Sequence, residues 1–475
     1  MDVTGQSWGE RHLNETDGKT LTCGLLAHPA GHTLSPLIHN TLASMTGKNL
    51  VYVPFDVEPE SIGDAVKGAF SLNILGMNAT VPHKEAVIPY LKEIDPLAEK
   101  IGAVNTLVRT ADGTGYKGYN TDMTGLKRSL MNQDITIKGQ KVIILGAGGV
   151  ARAVAFLMAS EGAEVIYVLN RTVERAEELI KEVGGKVPGS SFVALPMDQY
   201  DKIPSDNKYL CIQSTSVGMH PNNDKAIIED PKFYELVHTG FDIVYRPMNT
   251  KFMQLAARAG AKVCNGLEML LYQGVDAYEL WTGCSITKDQ CDIVYKAMCD
   301  RLENEKNIVL VGYMGSGKST VSKVLARKLS YEKLDTDSLI EETYETSISD
   351  IFASRSEAAF RDMETRQLEL LNNEKHDGLV LATGGGLPLR EINRRLLSKL
   401  GKVVYLKASP EAVYMRIKGD TTRPLLQVED PQARIKEMLD ERNKFYEMAA
   451  DIVIDTDGKE PEAVADEIIK AMGLL

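Results

Sequence analysis

Two runs of five mostly apolar residues in this chain each end in a glycine-rich turn that opens a helical pattern. Lys141 to Leu145 reads KVIIL and leads into Gly146-Ala147-Gly148-Gly149-Val150-Ala151-Arg152. Asn307 to Val311 reads NIVLV and leads into GYMGSGKS, Gly312 to Ser319. A strand that passes through glycines directly into a helix suits a parallel sheet covered by helices. The turn aims backbone N–H groups and the positive helix end at one point, which selects anions such as phosphate. Only the second turn supplies a Lys and a Ser to hold a triphosphate and its magnesium. A dinucleotide is expected at the first turn and ATP at the second.

The alternation extends along the whole chain. From Leu21 come LTCGLLAH, LSPLIHNTLASMTG and LVYVPFDV, which predict a parallel sheet with covering helices. The pattern restarts at KVIILGAGG and continues through EVIYVLNR, KYLCIQSTS and FDIVYRP. Helical stretches follow over Leu267 to Leu280 and Asp289 to Leu302, and a third restart comes at Ile308. A chain of 475 residues is expected to hold several domains. We read a polar tail over 1–20, and a first α/β domain over 21–125 that the helices of 266–300 complete. A dinucleotide-binding domain follows over 126–265, and a last α/β domain over 305–475.

The net charge of -12 argues against a general binder of nucleic acid or of anionic membranes. A local Arg and Lys cluster can still hold an anionic small molecule. No apolar run reaches the roughly 18 residues that span a bilayer. The segment MDVTGQSWGE lacks a signal-peptide core, so the cytoplasm is the expected compartment. The six cysteines include no C-x-x-C pair, and neither a disulfide framework nor a zinc site is expected. Cys284, Cys291 and Cys299 recur as one buried face of a helix would.

At the first glycine turn, Gly146, Ala147, Gly148, Gly149, Val150 and Ala151 are the candidate pyrophosphate cradle. The next strand ends in Asn170-Arg171-Thr172, with Arg175 one turn on. An acidic residue there would take the ribose hydroxyls of NAD. Asn followed by Arg fits a 2′-phosphate instead, because a guanidinium pairs with phosphate oxygens. NADP(H) is therefore the expected cofactor.

Upstream, Thr33 and Ser35 precede a helix where their hydroxyls suit a substrate carboxylate. Asn78 and Thr80 lie in MNATVPHK, with Lys84 close behind; Asn105 lies in GAVNT and Asp122 in GYNTD. A Lys–Asp pair can relay a proton to or from an alcohol oxygen while hydride moves, the ammonium donating and the carboxylate holding it. Sequence spacing alone does not separate these two residues from ordinary surface charges.

SP-x-x-HN, N-x-TVP-x-K, GAVNT, NTD, GAGG-x-AR-A and NRT-x-x-RA occur here in the order seen in shikimate dehydrogenases, which residues 21 to 300 resemble. The resemblance implies that Lys84 and Asp122 form the catalytic pair and that Thr33 and Ser35 bind the substrate carboxylate. It further implies that Asn78, Thr80, Asn105 and Gln273 line the pocket, with Tyr245, Gly266 and Met269 near substrate and nicotinamide. Thr215, in the turn after KYLCIQ, would touch the cofactor. Two positions depart from the family: Thr33 replaces Ser, and Gln213 stands where Asn commonly precedes that turn.

The second glycine turn matches the full nucleotide-loop pattern, Gly312-x-x-x-x-Gly317-Lys318-Ser319. Backbone N–H groups of Gly315, Ser316, Gly317 and Thr320 would cradle phosphates, Lys318 would neutralise them, and Ser319 would ligate Mg2+. Asp335 and Asp337 alternate along the next strand pattern, one suited to the metal shell and one to the acceptor hydroxyl. Arg361 and Arg442 are candidate clamps for an anionic acceptor. Gly384, Gly385 and Gly386 follow the strand LVLAT and would let backbone approach a ligand. Thr421 to Leu426 reads as a lid carrying Arg423.

Residues 305 to 475 resemble shikimate kinase. That resemblance makes Asp337 the base. It assigns Arg361, Glu364, the glycine triplet and Arg442 to shikimate, Arg423 to the lid and Arg416 to the adenine, which leaves Asp335, with Ser319, for the metal. Ser356 and Lys444 depart from the Gly and Pro usual at those places. The fold expected is a substrate domain and a Rossmann-type NADP domain, then a P-loop NTPase-type, nucleoside-monophosphate-kinase-like domain. The activity expected is bifunctional: NADPH-dependent reduction of 3-dehydroshikimate to shikimate, then MgATP-dependent phosphorylation of shikimate. The alternatives are a chain with one half reduced to ligand sensing, and a quinate-type dehydrogenase preferring NAD. The partners expected are these small molecules, with neither nucleic acid nor membrane; oligomeric state, a homo-oligomer included, stays open.

Overall fold

A computed structural model describes residues 16–31, 33–219, 222–418 and 430–474. The chain forms two compact units, Met1–Met298 and Cys299–Leu475. The division falls within the helix Lys288–Asn304.

The first unit holds two sheets. One contains β1 (Leu21–Ala27), β2 (Leu50–Asp56), β3 (Gly76–Ala79), β4 (Glu93–Ile94), β5 (Thr106–Arg109) and β6 (Tyr116–Tyr119), in the order β2-β1-β3-β5-β6-β4. β1 pairs in parallel with β2 and β3, but β5 pairs antiparallel with both β3 and β6. The sheet is thus mixed rather than parallel. The segment between β5 and β6 is too short for a helical crossover and closes a hairpin instead. The apolar alternation cannot tell a hairpin from a crossover.

The other sheet contains β7 (Lys141–Leu145), β8 (Val165–Asn170), β9 (Phe192–Pro196), β10 (Tyr209–Gln213), β11 (Val237–Asp242) and β12 (Lys262–Asn265). All its pairings are parallel, in the order β12-β11-β10-β7-β8-β9. β7 sits where the order reverses, the place where open α/β sheets bind ligands outside the strand ends. Its Val142 to Leu145 are fully buried, because helices cover both faces.

The second unit contains β13 (Ile308–Val311), β14 (Glu332–Asp335), β15 (Leu379–Ala382), β16 (Lys402–Lys407) and β17 (Ile452–Asp455), in the order β14-β15-β13-β16-β17. It is parallel throughout, and β13, the strand before the second glycine turn, is central. Cys291 is buried in its helix, but Cys284 precedes that helix, so the three cysteines form no single helical stripe. Among the described residues, no helix is long and apolar enough to cross a membrane.

Candidate active sites

In the first unit, a cavity of about 330 Å³ opens between the two sheets' ends. Thr33, Ser35, Asn78, Thr80, Lys84, Asn105, Asp122, Tyr245, Gly266, Met269 and Gln273 all line it, as does Val150 from the first glycine turn. Lys84 comes from the short helix His83–Ala86 after β3, and Asp122 from the first turn of the helix Thr121–Asn132. Asn120 caps that helix by accepting from Met123 N–H at 3.2 Å, which aims Asp122 into the cavity. Lys84 Nζ donates to Asp122 Oδ2 at 2.6 Å, with both side chains largely buried. Asn105 Nδ2 donates to the other carboxylate oxygen at 2.9 Å.

Thr33 Oγ1 lies 3.1 Å from Ser35 Oγ and accepts from Ser35 N–H at 3.1 Å, so the two hydroxyls present side by side. Gly266 is required by packing: a Cβ there would overlap the Ile243 carbonyl. The apolar wall, including Leu25, Ala27, Ala30, Ile243 and Leu270, had no sequence signal beyond ordinary core residues.

The cofactor candidates fit a dinucleotide. Gly146 has φ +110°, and a Cβ on it would come 2.7 Å from the Thr215 methyl, so the turn after β10 abuts the glycine turn. A Cβ on Gly148 or Gly149 would meet nothing within 4 Å, leaving open space above the N-terminus of the helix Gly149–Ser160 where a pyrophosphate belongs. Asn170 Nδ2 donates to the Thr172 carbonyl at 2.8 Å, while Arg171, Thr172 and Arg175 are exposed around it. Gln213 is buried. Its Nε2 donates to the Thr215 and Val217 carbonyls at 3.2 and 3.0 Å and to Asp242 Oδ1 at 3.2 Å, so it shapes the Thr215 turn from within.

In the second unit, Gly312, Gly315 and Gly317 take φ of +145°, +78° and +102°, a path that residues with a Cβ avoid. Lys318 Nζ curls over the turn, donating to the Gly312 and Tyr313 carbonyls at 2.7 and 3.0 Å. Ser316 is buried, and its Oγ lacks a hydrogen-bond partner. Thr320 opens the helix Lys318–Leu329 with its N–H bonded to the Gly317 carbonyl at 3.1 Å. Ser319 Oγ donates to Asp335 Oδ2 at 3.2 Å, a pair of hard oxygens that suits Mg2+. Asp335 also caps the helix Thr336–Tyr344, which fixes Asp337 in its first turn.

Burial, reinforced by the neighbouring Asp335, raises the Asp337 pKa above the ordinary carboxylate value, with Lys318 pulling against it. Burial likewise raises that of Glu364, opposed by Arg361. Arg361 Nη1 donates to Glu364 Oε2 at 2.8 Å. The glycine triplet closes over this group. A Cβ on Gly384 would lie 2.6 Å from Asp337 Oδ1, and one on Gly386 would overlap the Arg361 guanidinium. The Gly385 carbonyl accepts from Tyr446 Oη at 2.6 Å, and Arg442, one turn earlier on the same helix, lies over the Tyr313 ring at 6.0 Å. Arg416 donates to Thr456 Oγ1 at 3.0 Å and to its carbonyl at 2.6 Å, beside Gly315. Arg423 and the proposed lid lie outside the described residues.

Four family models match the chain. Residues 25–107 match the shikimate dehydrogenase substrate binding domain, 128–212 the shikimate / quinate 5-dehydrogenase model, and 266–286 the shikimate 5′-dehydrogenase C-terminal domain. Residues 314–473 match shikimate kinase. A shikimate dehydrogenase (NADP(+)) of Moorella thermoacetica is 44% identical over 54% of this chain and 87% of its own length. One of Methanothermobacter thermautotrophicus is 42% identical over 60% of this chain and 99% of its own. A crystal structure of a shikimate dehydrogenase in complex with NADP+ superposes with a TM-score of 0.54 at 37% identity, over 60% of this chain and 97% of that one. The chain belongs to the shikimate dehydrogenase family and carries a shikimate kinase domain in the same polypeptide.

Proposed function

We infer that this chain is a bifunctional enzyme that reduces 3-dehydroshikimate with NADPH and phosphorylates the resulting shikimate with MgATP. The observation that carries the reading is the presence on one chain of both domain types, since the alcohol made at one site is the acceptor required at the other.

At the first site, NADPH supplies the hydride when bound. Thr33 and Ser35 hold the substrate carboxylate with paired hydroxyls. Lys84 donates the proton to the ketone oxygen as it becomes an alkoxide, and Asp122, 2.6 Å away, keeps the ammonium aimed and charged. Arg171 and Arg175 supply the positive charge that a 2′-phosphate needs, which favours NADPH over NADH.

At the second site, Arg361 pairs with the acceptor carboxylate. Glu364 acts through Arg361, because its carboxylate is already committed to that guanidinium. Asp337 takes the proton of the attacking hydroxyl, and its raised pKa makes it the stronger base. Lys318 and the backbone of Gly315 to Ser319 stabilise the phosphates, while Ser319 and Asp335 hold the metal.

The test is one reaction mixture of 3-dehydroshikimate, NADPH and MgATP, with NADPH oxidation and ADP release followed separately. Both signals are expected, ADP release lagging behind oxidation. Oxidation without ADP release would reduce the second unit to a ligand sensor. A higher rate with NADH, or with quinate in the reverse direction, would shift the first unit to the quinate-type alternative.

A further inference from the structure

We propose that Asn393 is a positioning residue of the kinase, holding the glycine triplet and Arg361 at the separation that receives the acceptor carboxylate. The proposal deepens the kinase reading and rests on it.

Asn393 lies in the first turn of the helix Glu391–Leu400 and is fully buried. An amide there costs free energy to bury unless both of its ends are hydrogen-bonded. Its Nδ2 donates to the Leu387 carbonyl at 3.0 Å, and its Oδ1 accepts from Thr365 Oγ1 at 2.7 Å. The orientation is forced, because a carbonyl can only accept and so must face the nitrogen. Leu387 directly follows Gly386 in the chain. Thr365 stands one turn after Arg361 on the helix Glu357–Asn373, and its hydroxyl also lies 3.0 Å from the Arg361 carbonyl. A mid-helix threonine often spends its proton on that carbonyl. The shorter bond here goes to Asn393.

These contacts close a ring. From Gly386 it runs to Leu387, across the Asn393 amide to Thr365, and back one helical turn to Arg361. The guanidinium completes it, since a Cβ on Gly386 would overlap both of its terminal nitrogens. Loss of the amide frees Gly386 to shift against the group that pairs with the substrate carboxylate.

The neighbouring residue fixes the rest of the turn. Arg394 Nη1 donates to the Pro388 and Leu389 carbonyls at 2.8 and 3.0 Å, and its guanidinium lies 5.4 Å from the centre of the Phe445 ring. Phe445 belongs to the helix Pro431–Ala449, which also carries Arg442 and Tyr446. Arg390 reaches the Arg361 helix too, through Asp362 at 2.6 Å, but that pair is largely exposed and contributes little. The buried link is the Asn393 amide.

The experiment compares Asn393→Ala, Thr365→Val and the double variant in the full chain, with steady-state phosphorylation of shikimate. The reductase rate of each preparation is measured alongside and is expected to match the parent. Asn393→Ala is expected to raise the KM for shikimate about tenfold, with kcat and the KM for MgATP within about twofold of the parent. Thr365→Val, which keeps the side-chain shape and removes one donor, is expected to raise the KM for shikimate about threefold. In the Asn393→Ala background, Thr365→Val is expected to cost less than about twofold, because both act through one link. A KM for shikimate unchanged in Asn393→Ala overturns the proposal, as does a fall in kcat alone, which a merely structural role would give. An equal rise in both KM values also overturns it. Where Asn393→Ala yields no folded kinase, Thr365→Val decides, and an unchanged KM for shikimate there overturns the proposal. A parent chain that releases no ADP on addition of shikimate overturns the kinase reading itself, and this inference with it.

Discussion

Lys84 Nζ sits 2.6 Å from Asp122 Oδ2, and the same carboxylate receives the Asn105 amide on its other oxygen. A carboxylate held from both sides keeps the ammonium in one place as substrate enters. Lys84→Ala is therefore expected to lower reductase turnover by about a hundredfold to ten-thousandfold. NADPH affinity and the kinase rate are expected to stay as they were. Assaying both activities on one preparation checks this; a reductase rate within twofold of the parent chain would remove Lys84 from the chemistry.

The glycine triplet makes graded predictions. Gly384 and Gly386 have no room for a Cβ, the first because of Asp337 and the second because of Arg361, whereas a Cβ on Gly385 would meet only atoms at 3.4 Å or beyond. Gly384→Ala is expected to lower kinase kcat by about a hundredfold by displacing the base. Gly386→Ala should instead raise the KM for shikimate by displacing the clamp. Gly385→Ala should remain within a few-fold of the parent. Equal effects at all three positions would show that the triplet serves the backbone path rather than these two side chains.

The proposed preference for NADPH places cofactor choice at the end of β8. Asn170 turns its amide to the Thr172 carbonyl, and Arg171 and Arg175 are exposed beside it. A charge-assisted bond to phosphate contributes about 1.5–3 kcal/mol, so Arg171→Ala is expected to raise the KM for NADPH by about ten- to a hundredfold. The KM for NADH should not change. Initial rates with each cofactor over a range of concentrations decide it, and a parallel loss with both would place Arg171 elsewhere.

Asp242 at the end of β11 is fully buried, and burial pushes its pKa up to about 7 against the pull of the Thr250 hydroxyl and the Val244 N–H. The folded value lies above the unfolded one, so the protonated acid is favoured by folding. Its contribution is complete below the unfolded carboxylate range near about pH 4, and it is lost as pH rises through about 7. Across that window the parent chain should lose stability relative to Asp242→Asn, by at most about 1.4 kcal/mol per pH unit. Denaturant unfolding of the first unit at several pH values measures the gap. Parallel stability curves would mean that Asp242 is ionised throughout.

The departure at Gln213 carried a signal that sequence could raise but not interpret. Its amide reaches two carbonyls of the Thr215 turn and the buried Asp242, 29 residues away, so the longer side chain serves as an internal brace. The glycine triplet was legible as a close approach, but what approaches was not: Asp337 and Arg361 lie on two other helices. The hairpin that makes the first sheet mixed was missed, because alternating apolar residues look alike in parallel and antiparallel strands.

By itself, the order of residues determined the strand–glycine–helix junctions, their anion preference, and the residue types supplied to each pocket. Those properties are local: they follow from φ freedom at glycine, from helix ends, and from side-chain charge within a few positions. Only tertiary structure decided which polar groups bond to each other. The path from Asn78 through Thr106 and Asn105 to Asp122 joins residues far apart in the chain. No periodicity records such a path, because packing of distant segments brings those atoms within hydrogen-bond reach.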